Sequence, residues 1–235
     1  MATSPTSRCS FQLASGEVHT WCVSLDVPSE TSAGLYATLT NDERNRSARF
    51  RFERDRQRFV VSHGVLRDLL GRYVGTEPAQ IRFVSNAFGK PALSPEFGSR
   101  LNFNLSHSAG LAIIAIAIDA EIGVDVERIR TGPGYAEIAR HFFSAAEAAH
   151  LNGVSGDLHA QAFFNCWTKK EAYVKARGEG LGMPLTKFQV ADPHGTWSLY
   201  TLQPAPGYIG ALAIERSGWR LTQRRWQERL DESAR

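Results

Sequence analysis

Cysteine is scarce. Cys9, Cys22 and Cys166 are the three in 235 residues, an odd number with no Cys-x-x-Cys spacing. Neither a disulfide framework nor a cysteine-based zinc site is indicated, and reduced thiols in a cytoplasmic protein are expected. Long hydrophobic runs are also missing. The longest, Leu111 to Ile118, falls far short of the roughly 20 residues a membrane-spanning helix needs, so it reads as a buried strand and no membrane partner is expected. Residues 1–16 are polar, lack a basic flank followed by an apolar stretch, and read as a loose leader rather than a secretory signal. Neither sign of charge dominates: Lys and Arg number 27, Asp and Glu 24, for a net +3. Nucleic acid would require a concentrated basic face instead. No Gly-x-Ser-x-Gly elbow occurs and no acid adjoins Ser106 or His107, so a serine-hydrolase triad is a poor reading. No internal repeat is visible.

What the chain does carry is a set of acids and cations on regular elements. In Gly123-Val124-Asp125-Val126-Glu127, alternation puts Ile122, Val124 and Val126 on one strand face and Gly123, Asp125 and Glu127 on the other. Two acids two apart lie roughly 6.5–7 Å apart along a strand, near enough to lean toward one hard cation. Mg²⁺ favours carboxylate and phosphate oxygens. A solvent-facing edge strand with two ordinary acids fits the same pattern. From Ala160 to Ala176 the spacing predicts a helix, ended by Gly178, Gly180 and Gly182, with Met183-Pro184-Leu185 starting a new segment. Glu171 and Lys175 are four apart on one helical face, as a third carboxylate with a phosphate-neutralising lysine or as a plain surface ion pair. Phe103-Asn104-Leu105-Ser106-His107-Ser108 alternates as a strand ending in a polar trio suited to phosphate oxygens, or in an ordinary polar turn.

The first half supplies arginines. Thr40-Asn41-Asp42-Glu43 has the capping-box pattern, predicting one long helix from about Asp42 to Tyr73 with Ala48, Phe52, Phe59, Leu66 and Leu70 as its buried stripe. Its arginines, among them Arg46 and Arg58, have the planar fork that suits phosphate, although most such residues are a solvated helix face. Strands are expected near 18–25, 81–84, 101–105, 111–118, 188–190, 197–202 and 208–214, and helices over 135–143 and 145–151. A Gly-rich loop is expected at 152–157. The charged tail 223–235 reads as disordered or as a short helix.

Together, Phe88-Gly89-Lys90-Pro91, Phe103 to Ser108, Gly123 to Glu127, Phe142-Phe143-Ser144-x-x-Glu147 and Trp167-x-x-Lys170-Glu171-x-x-x-Lys175 resemble the Sfp-type 4′-phosphopantetheinyl transferases, over about Thr40 to Leu185. The resemblance implies an α+β fold of two similar halves related by a pseudo-twofold axis, with the site in the cleft between them. On that basis residues 1–119 form the half contacting the phosphates and adenine of coenzyme A, and 120–235 the half with the metal site. It implies transfer of the phosphopantetheine arm of coenzyme A to a serine of an apo acyl or peptidyl carrier protein in fatty-acid, polyketide or nonribosomal-peptide synthesis. The transfer would use Mg²⁺, release adenosine 3′,5′-bisphosphate, and be carried out by a monomer.

By the same resemblance Asp125, Glu127 and Glu171 are the metal ligands, Glu171 is the candidate base, and Lys175 contacts the pyrophosphate. Ser106 and His107 hold coenzyme A phosphates, Lys90 lies along the adenine, and Arg46 and Arg58 face the 3′-phosphate. Glu147 is a further acid of the cleft. Glu43 stands where the family pattern has the first basic residue of its segment, with Arg44 following. A metal-dependent phosphodiesterase using water as nucleophile and a coenzyme A-binding module without catalysis remain as other classes. A transferase takes its nucleophilic serine from the partner and needs none of its own.

Overall fold

The period-two pattern of residues 111–118 builds the middle of the molecule. The computed structural model describes residues 11–132, 134–180, 185–191 and 196–226. Its elements are β1 (Glu17–Ser24), α1 (Ser29–Ala37), α2 (Asn41–Ala48), α3 (Glu53–Val74), β2 (Phe83–Ser85), β3 (Pro91–Leu93), β4 (Leu101–Ser108) and β5 (Leu111–Ile118). There follow β6 (Ile122–Arg128), α4 (Tyr135–Phe142), α5 (Ala145–Asn152), α6 (Asp157–Arg177), β7 (Trp197–Leu202), β8 (Tyr208–Glu215) and β9 (Arg220–Arg225). Strand β5 has no polar face because it has no wet face. Ala112, Ile114 and Ile116 join the core beneath α3, while Leu111, Ile113, Ala115 and Ala117 pack against Ile122, Val124 and Val126 of β6. One strand therefore glues the two halves, and each isoleucine it buries contributes about 1.5–3 kcal/mol.

The fold is α+β in two halves, each laying one long helix on a sheet. The sheets run in the order β4-β5-β1-β9 and β6-β8-β7, with a separate β2-β3 hairpin. Every pairing is antiparallel except β9 with β1, which is parallel from Glu17↔Arg220 to Cys22↔Arg225. Helix α3 covers the first sheet. Helix α6 covers the second, where β8 offers only the small Ala211 and Ala213 to its Ala172 and Ala176.

Several expectations need correction. The single helix from Asp42 to Tyr73 is two helices broken at 49–52. The cause lies far along the chain: Arg67 Nε donates to Glu43 Oε2 at 2.8 Å. In one straight helix those residues would stand about 36 Å apart, so the ion pair folds α2 back onto α3. Ala48 and Phe52 are exposed as a result, Phe52 by 58%, and only Phe59, Leu66 and Leu70 of the expected stripe are buried. Residues 188–190 form no strand, only an isolated bridge at Gln189, because Phe188 O and Val190 N are taken by Lys170 and Glu147 side chains. The hairpin strand starts at Phe83 rather than at 81, and β4 runs on through Ser108.

Part of the supposed tail is β9, and part of the supposed leader is anchored. The Phe11 ring packs 4.8 Å from Trp21, with its N–H on Arg72 O. Residues 1–10 and 227–235, and with them Cys9 and most of the tail, lie outside the described residues, as do Gly182 and Met183-Pro184. Cys22 and Cys166 are free thiols. Among the described residues, no helix is long and apolar enough to cross a membrane.

Candidate functional site

The site forms where α6 lies directly on β6. A Cβ at Gly123 would stand 2.1 Å from Ala172 O and 2.3 Å from Ala176 N. Helix backbone thus meets strand backbone, which only glycine permits. The adjoining turn carries Glu171 and Lys175, and the contact delivers both over the acidic face of β6. Strand β4 is stitched to β6 from the other side by Asn104, whose Oδ1 accepts the Val124 N–H at 2.9 Å.

Lys175, Ser106 and Asp125 converge there from three elements. Lys175 Nζ donates to Asp125 Oδ1 at 2.6 Å and to Ser106 Oγ at 2.9 Å, while Ser106 Oγ donates to the same carboxylate oxygen at 2.8 Å. Asp125 is 4% exposed, and its Oδ2 is buried without a hydrogen-bond partner. Ser108 Oγ donates to Glu127 Oε2 at 2.6 Å. Burial pushes the Glu127 carboxyl above its ordinary value; Ser108 opposes the rise and the charge of Asp125 adds to it. Burial likewise pushes Glu171 up, helped by the charges of Asp125 and Glu127 and opposed by Lys175. Asp125 thus acts on both neighbouring carboxyls, and the Lys175 ammonium opposes it at each.

The chemistry of that donor set fits a hard divalent ion: all oxygens, mutually repelling, one of them orphaned in the interior. Its geometry is less complete. Among the described residues, no group of three or more His, Cys, Asp or Glu side chains is gathered so as to hold a metal. The expected trio of Asp125, Glu127 and Glu171 is therefore a shared electrostatic neighbourhood rather than an assembled ligand cluster. The serine hydroxyls and the Lys175 ammonium occupy the oxygens instead.

A cationic corner adjoins the acids. Burial, and then the charges of Lys175, Arg46 and Arg58, depress the His107 imidazole. Arg46, at the end of α2, lies 5.3 Å over the Phe59 ring. Arg58 is not free: its Nε and Nη2 donate to both Asp26 oxygens, at 2.9 and 3.0 Å. Lys90 Nζ donates to Glu121 Oε2 at 2.7 Å and to the Ala176 carbonyl at 2.8 Å. It clasps the hairpin to the end of α6, alongside Asn86, whose amide donates to Gly178 O. Between hairpin and helix lies a hollow of about 320 Å³ bounded by Phe88, Lys90, Asn104, Glu171 and Lys175.

Glu147 is not an acid of the cleft. It closes a capping box with Ser144, accepts the Val190 N–H, and pairs with the fully buried Lys170 at 2.8 Å. Its carboxyl is held low by Lys170 and two backbone N–H groups against the opposing effect of burial. Glu43 is equally structural, and Arg44 is turned to Ala37 O and the Tyr36 ring. Sequence reasoning missed Asp26, which holds Arg58; it sits on a loop without a motif and so carried no local signal.

The chain is similar to known proteins along most of its length. Residues 121–213 match the family model described as the 4′-phosphopantetheinyl transferase superfamily. Residues 28–119 match the one described as 4′-phosphopantetheinyl transferase, N-terminal. The chain is 39% identical over 219 residues to the 4′-phosphopantetheinyl transferase HetI of Nostoc sp., covering 88% of this chain and 91% of that protein. It is 31% identical over 182 residues to a putative 4′-phosphopantetheinyl transferase of Synechocystis sp., covering 74% of each. It is 30% identical over 195 residues to the 4′-phosphopantetheinyl transferase Sfp of Bacillus subtilis, covering 78% of this chain and 85% of that protein.

Proposed function

Because the chain belongs to the 4′-phosphopantetheinyl transferase superfamily, we propose that it transfers the phosphopantetheine arm of coenzyme A to a serine hydroxyl of an apo acyl or peptidyl carrier protein, leaving adenosine 3′,5′-bisphosphate. The observation that carries the residue assignment is the meeting of Lys175, Ser106 and Asp125 beneath the raised carboxyls of Glu127 and Glu171. Residues 1–119 supply the phosphate and adenine contacts, and 120–235 supply the acids.

In this reading Glu171 takes the proton of the incoming serine. A carboxyl raised toward neutral pH is better matched to that task than an ordinary one. The serine oxygen attacks the β-phosphorus and the bond to the leaving phosphate breaks, so negative charge grows on the pyrophosphate oxygens. Lys175 moves its ammonium from Asp125 to those oxygens, and Ser106 donates beside it. Asp125, with its orphaned Oδ2, together with Glu127 and Glu171 would hold Mg²⁺, which supplies further neutralisation of the pyrophosphate when bound. His107 and Arg46 receive the outlying phosphate. Arg58 joins them on release from Asp26, and Lys90 borders the adenine mainly through its backbone.

The carrier meets the loop at 152–157 and the adjoining Leu158, 64% exposed at the start of α6. The protein works as a monomer in the cytoplasm. Incubation with coenzyme A, Mg²⁺ and an apo carrier tests the proposal: the carrier serine gains the mass of one phosphopantetheine, and Asp125→Asn abolishes the gain while circular dichroism stays native. Consumption of coenzyme A without modified carrier would mean hydrolysis, and binding without turnover a silent module. Either result overturns the proposal.

A further inference from the structure

The β2–β3 hairpin is short, with three residues in each strand, and a two-stranded hairpin alone is marginally stable at best in water. Its base is anchored in the first half, where Leu93 is buried in the core and the Phe83 ring lies 5.5 Å from Phe103. Its tip, residues 86–90, stands out from that core. Asn86, Ala87, Phe88 and Gly89 are all exposed, and the tip lies against the end of α6, in the other half of the molecule.

One side chain organises that tip. Asn86 Oδ1 accepts the N–H groups of Phe88 and Lys90, each at 2.9 Å, and Asn86 Nδ2 donates to Gly178 O at 2.9 Å. A carboxamide accepts at oxygen and donates at nitrogen, so two N–H groups on one side and a carbonyl on the other settle its orientation. Its three partners are lining residues of the hollow of about 320 Å³: Phe88 and Lys90 on the hairpin wall, Gly178 on the helix wall. Asn86 thus joins the two walls. The fit is close, since a Cβ at Gly178 would stand 3.1 Å from Asn86 Nδ2 and 2.9 Å from Lys90 Cδ. The helix wall is held independently, by the backbone contact of α6 with β6 at Gly123. The hairpin wall depends on Asn86 and on the Lys90 ammonium.

We propose that Asn86 is a positioning residue for coenzyme A: its amide holds the hairpin tip against the end of α6, so that the hollow has its binding width before the ligand arrives. The inference rests on the coenzyme A reading, in which this wall borders the adenine, and deepens it. A tip freed from Gly178 is in the binding geometry only part of the time, and apparent affinity falls by that fraction. Once the ligand is seated the wall is back in place, so the loss falls on binding and not on the chemical step.

Steady-state kinetics of the full chain with coenzyme A and an apo carrier, paired with calorimetry of coenzyme A binding, provide the test. Asn86→Ala removes all three hydrogen bonds. Asn86→Asp keeps an acceptor for the Phe88 and Lys90 N–H groups but removes the donor to Gly178 O, so it isolates the link between the walls. In both variants KM and Kd for coenzyme A rise about three- to tenfold, the worth of one hydrogen bond. The kcat at saturating coenzyme A and the KM for the carrier stay near the wild-type values, as does the unfolding temperature. Should Asn86→Ala not fold, Asn86→Asp carries the test. Variants whose coenzyme A KM and Kd stay at the wild-type values, or whose kcat falls as far as KM rises, overturn the inference. Wild-type protein that neither binds coenzyme A nor modifies a carrier overturns the reading beneath it instead.

Discussion

Replacing Gly123 by alanine puts one methyl group into the tightest joint of the molecule. The new Cβ would stand 2.1 Å from Ala172 O, 2.3 Å from Ala176 N and 2.8 Å from Ala176 Cα, whereas ordinary contact begins at 3.4 Å. All three atoms are α6 backbone, so no side-chain rotation relieves the clash. The helix must retreat from β6 by about 1 Å or more. Overpacking of that kind costs about 1–3 kcal/mol. For a chain of 235 residues, each kcal/mol lowers the unfolding temperature by about 2–4 °C, which gives a fall of roughly 2–12 °C. The same retreat pulls Lys175 away from Asp125, now 2.6 Å apart, and carries Glu171 with it. Misplacement by about 1 Å can cost on the order of a hundredfold in rate. Turnover of coenzyme A with an apo carrier should therefore fall much further than stability does. Gly34→Ala serves as the control, because nothing lies within 4 Å of the added atom and alanine should raise helix stability by roughly 0.5–1 kcal/mol. A Gly123→Ala protein with native unfolding temperature and native turnover would refute the claim that backbone contact between α6 and β6 aligns the site.

Two other perturbations read separate parts of the structure. Glu43→Gln leaves Arg67, 1% exposed, without its anion, so thermal unfolding should show a loss of about 3 kcal/mol; an unchanged midpoint would remove the ion pair as the cause of the α2–α3 break. His19, buried between Tyr73 and Glu17, is held below its ordinary 6.5, mainly by burial. The unfolded chain then takes up its proton first, so this contribution to stability is present above about pH 6.5 and is lost as pH falls toward the folded value. Unfolding midpoints measured from neutral to mildly acidic pH should drop less in His19→Gln than in wild type, and parallel curves would contradict the sign.

The acids and the helix that serves them could be read from the sequence because their causes are local. Alternation around Asp125 and Glu127 reports two strand faces, and the four-residue step from Glu171 to Lys175 reports one helical face. An all-apolar Leu111 to Ile118 could belong only to a strand covered on both sides. What failed had distant causes. Glu43 does close the capping box that starts α2, but the break that follows depends on its partner Arg67, 24 residues away. Glu147 carried motif resemblance, yet its carboxylate is consumed by Lys170. Strand β9 gave no readable signal, because Arg-Leu-Thr-Gln-Arg-Arg is polar enough to pass for a tail. Its place is fixed by backbone pairing with β1, and by Glu17 accepting from Thr222 and meeting Arg220.

That parallel pairing sets an order of events at the ribosome. The sheet that supports α3 needs residues 220–225 as its outer strand, and those residues are made only after the whole acid-bearing half. An emerging chain can thus collapse α3 onto β1, β4 and β5 early, but it leaves the flank of β1 unzipped, its N–H and C=O groups facing water. Cutting the gene between the halves would strand the same edge. Each fragment would then lack something the other encodes, and recovery of function would depend on the two pieces finding one another again.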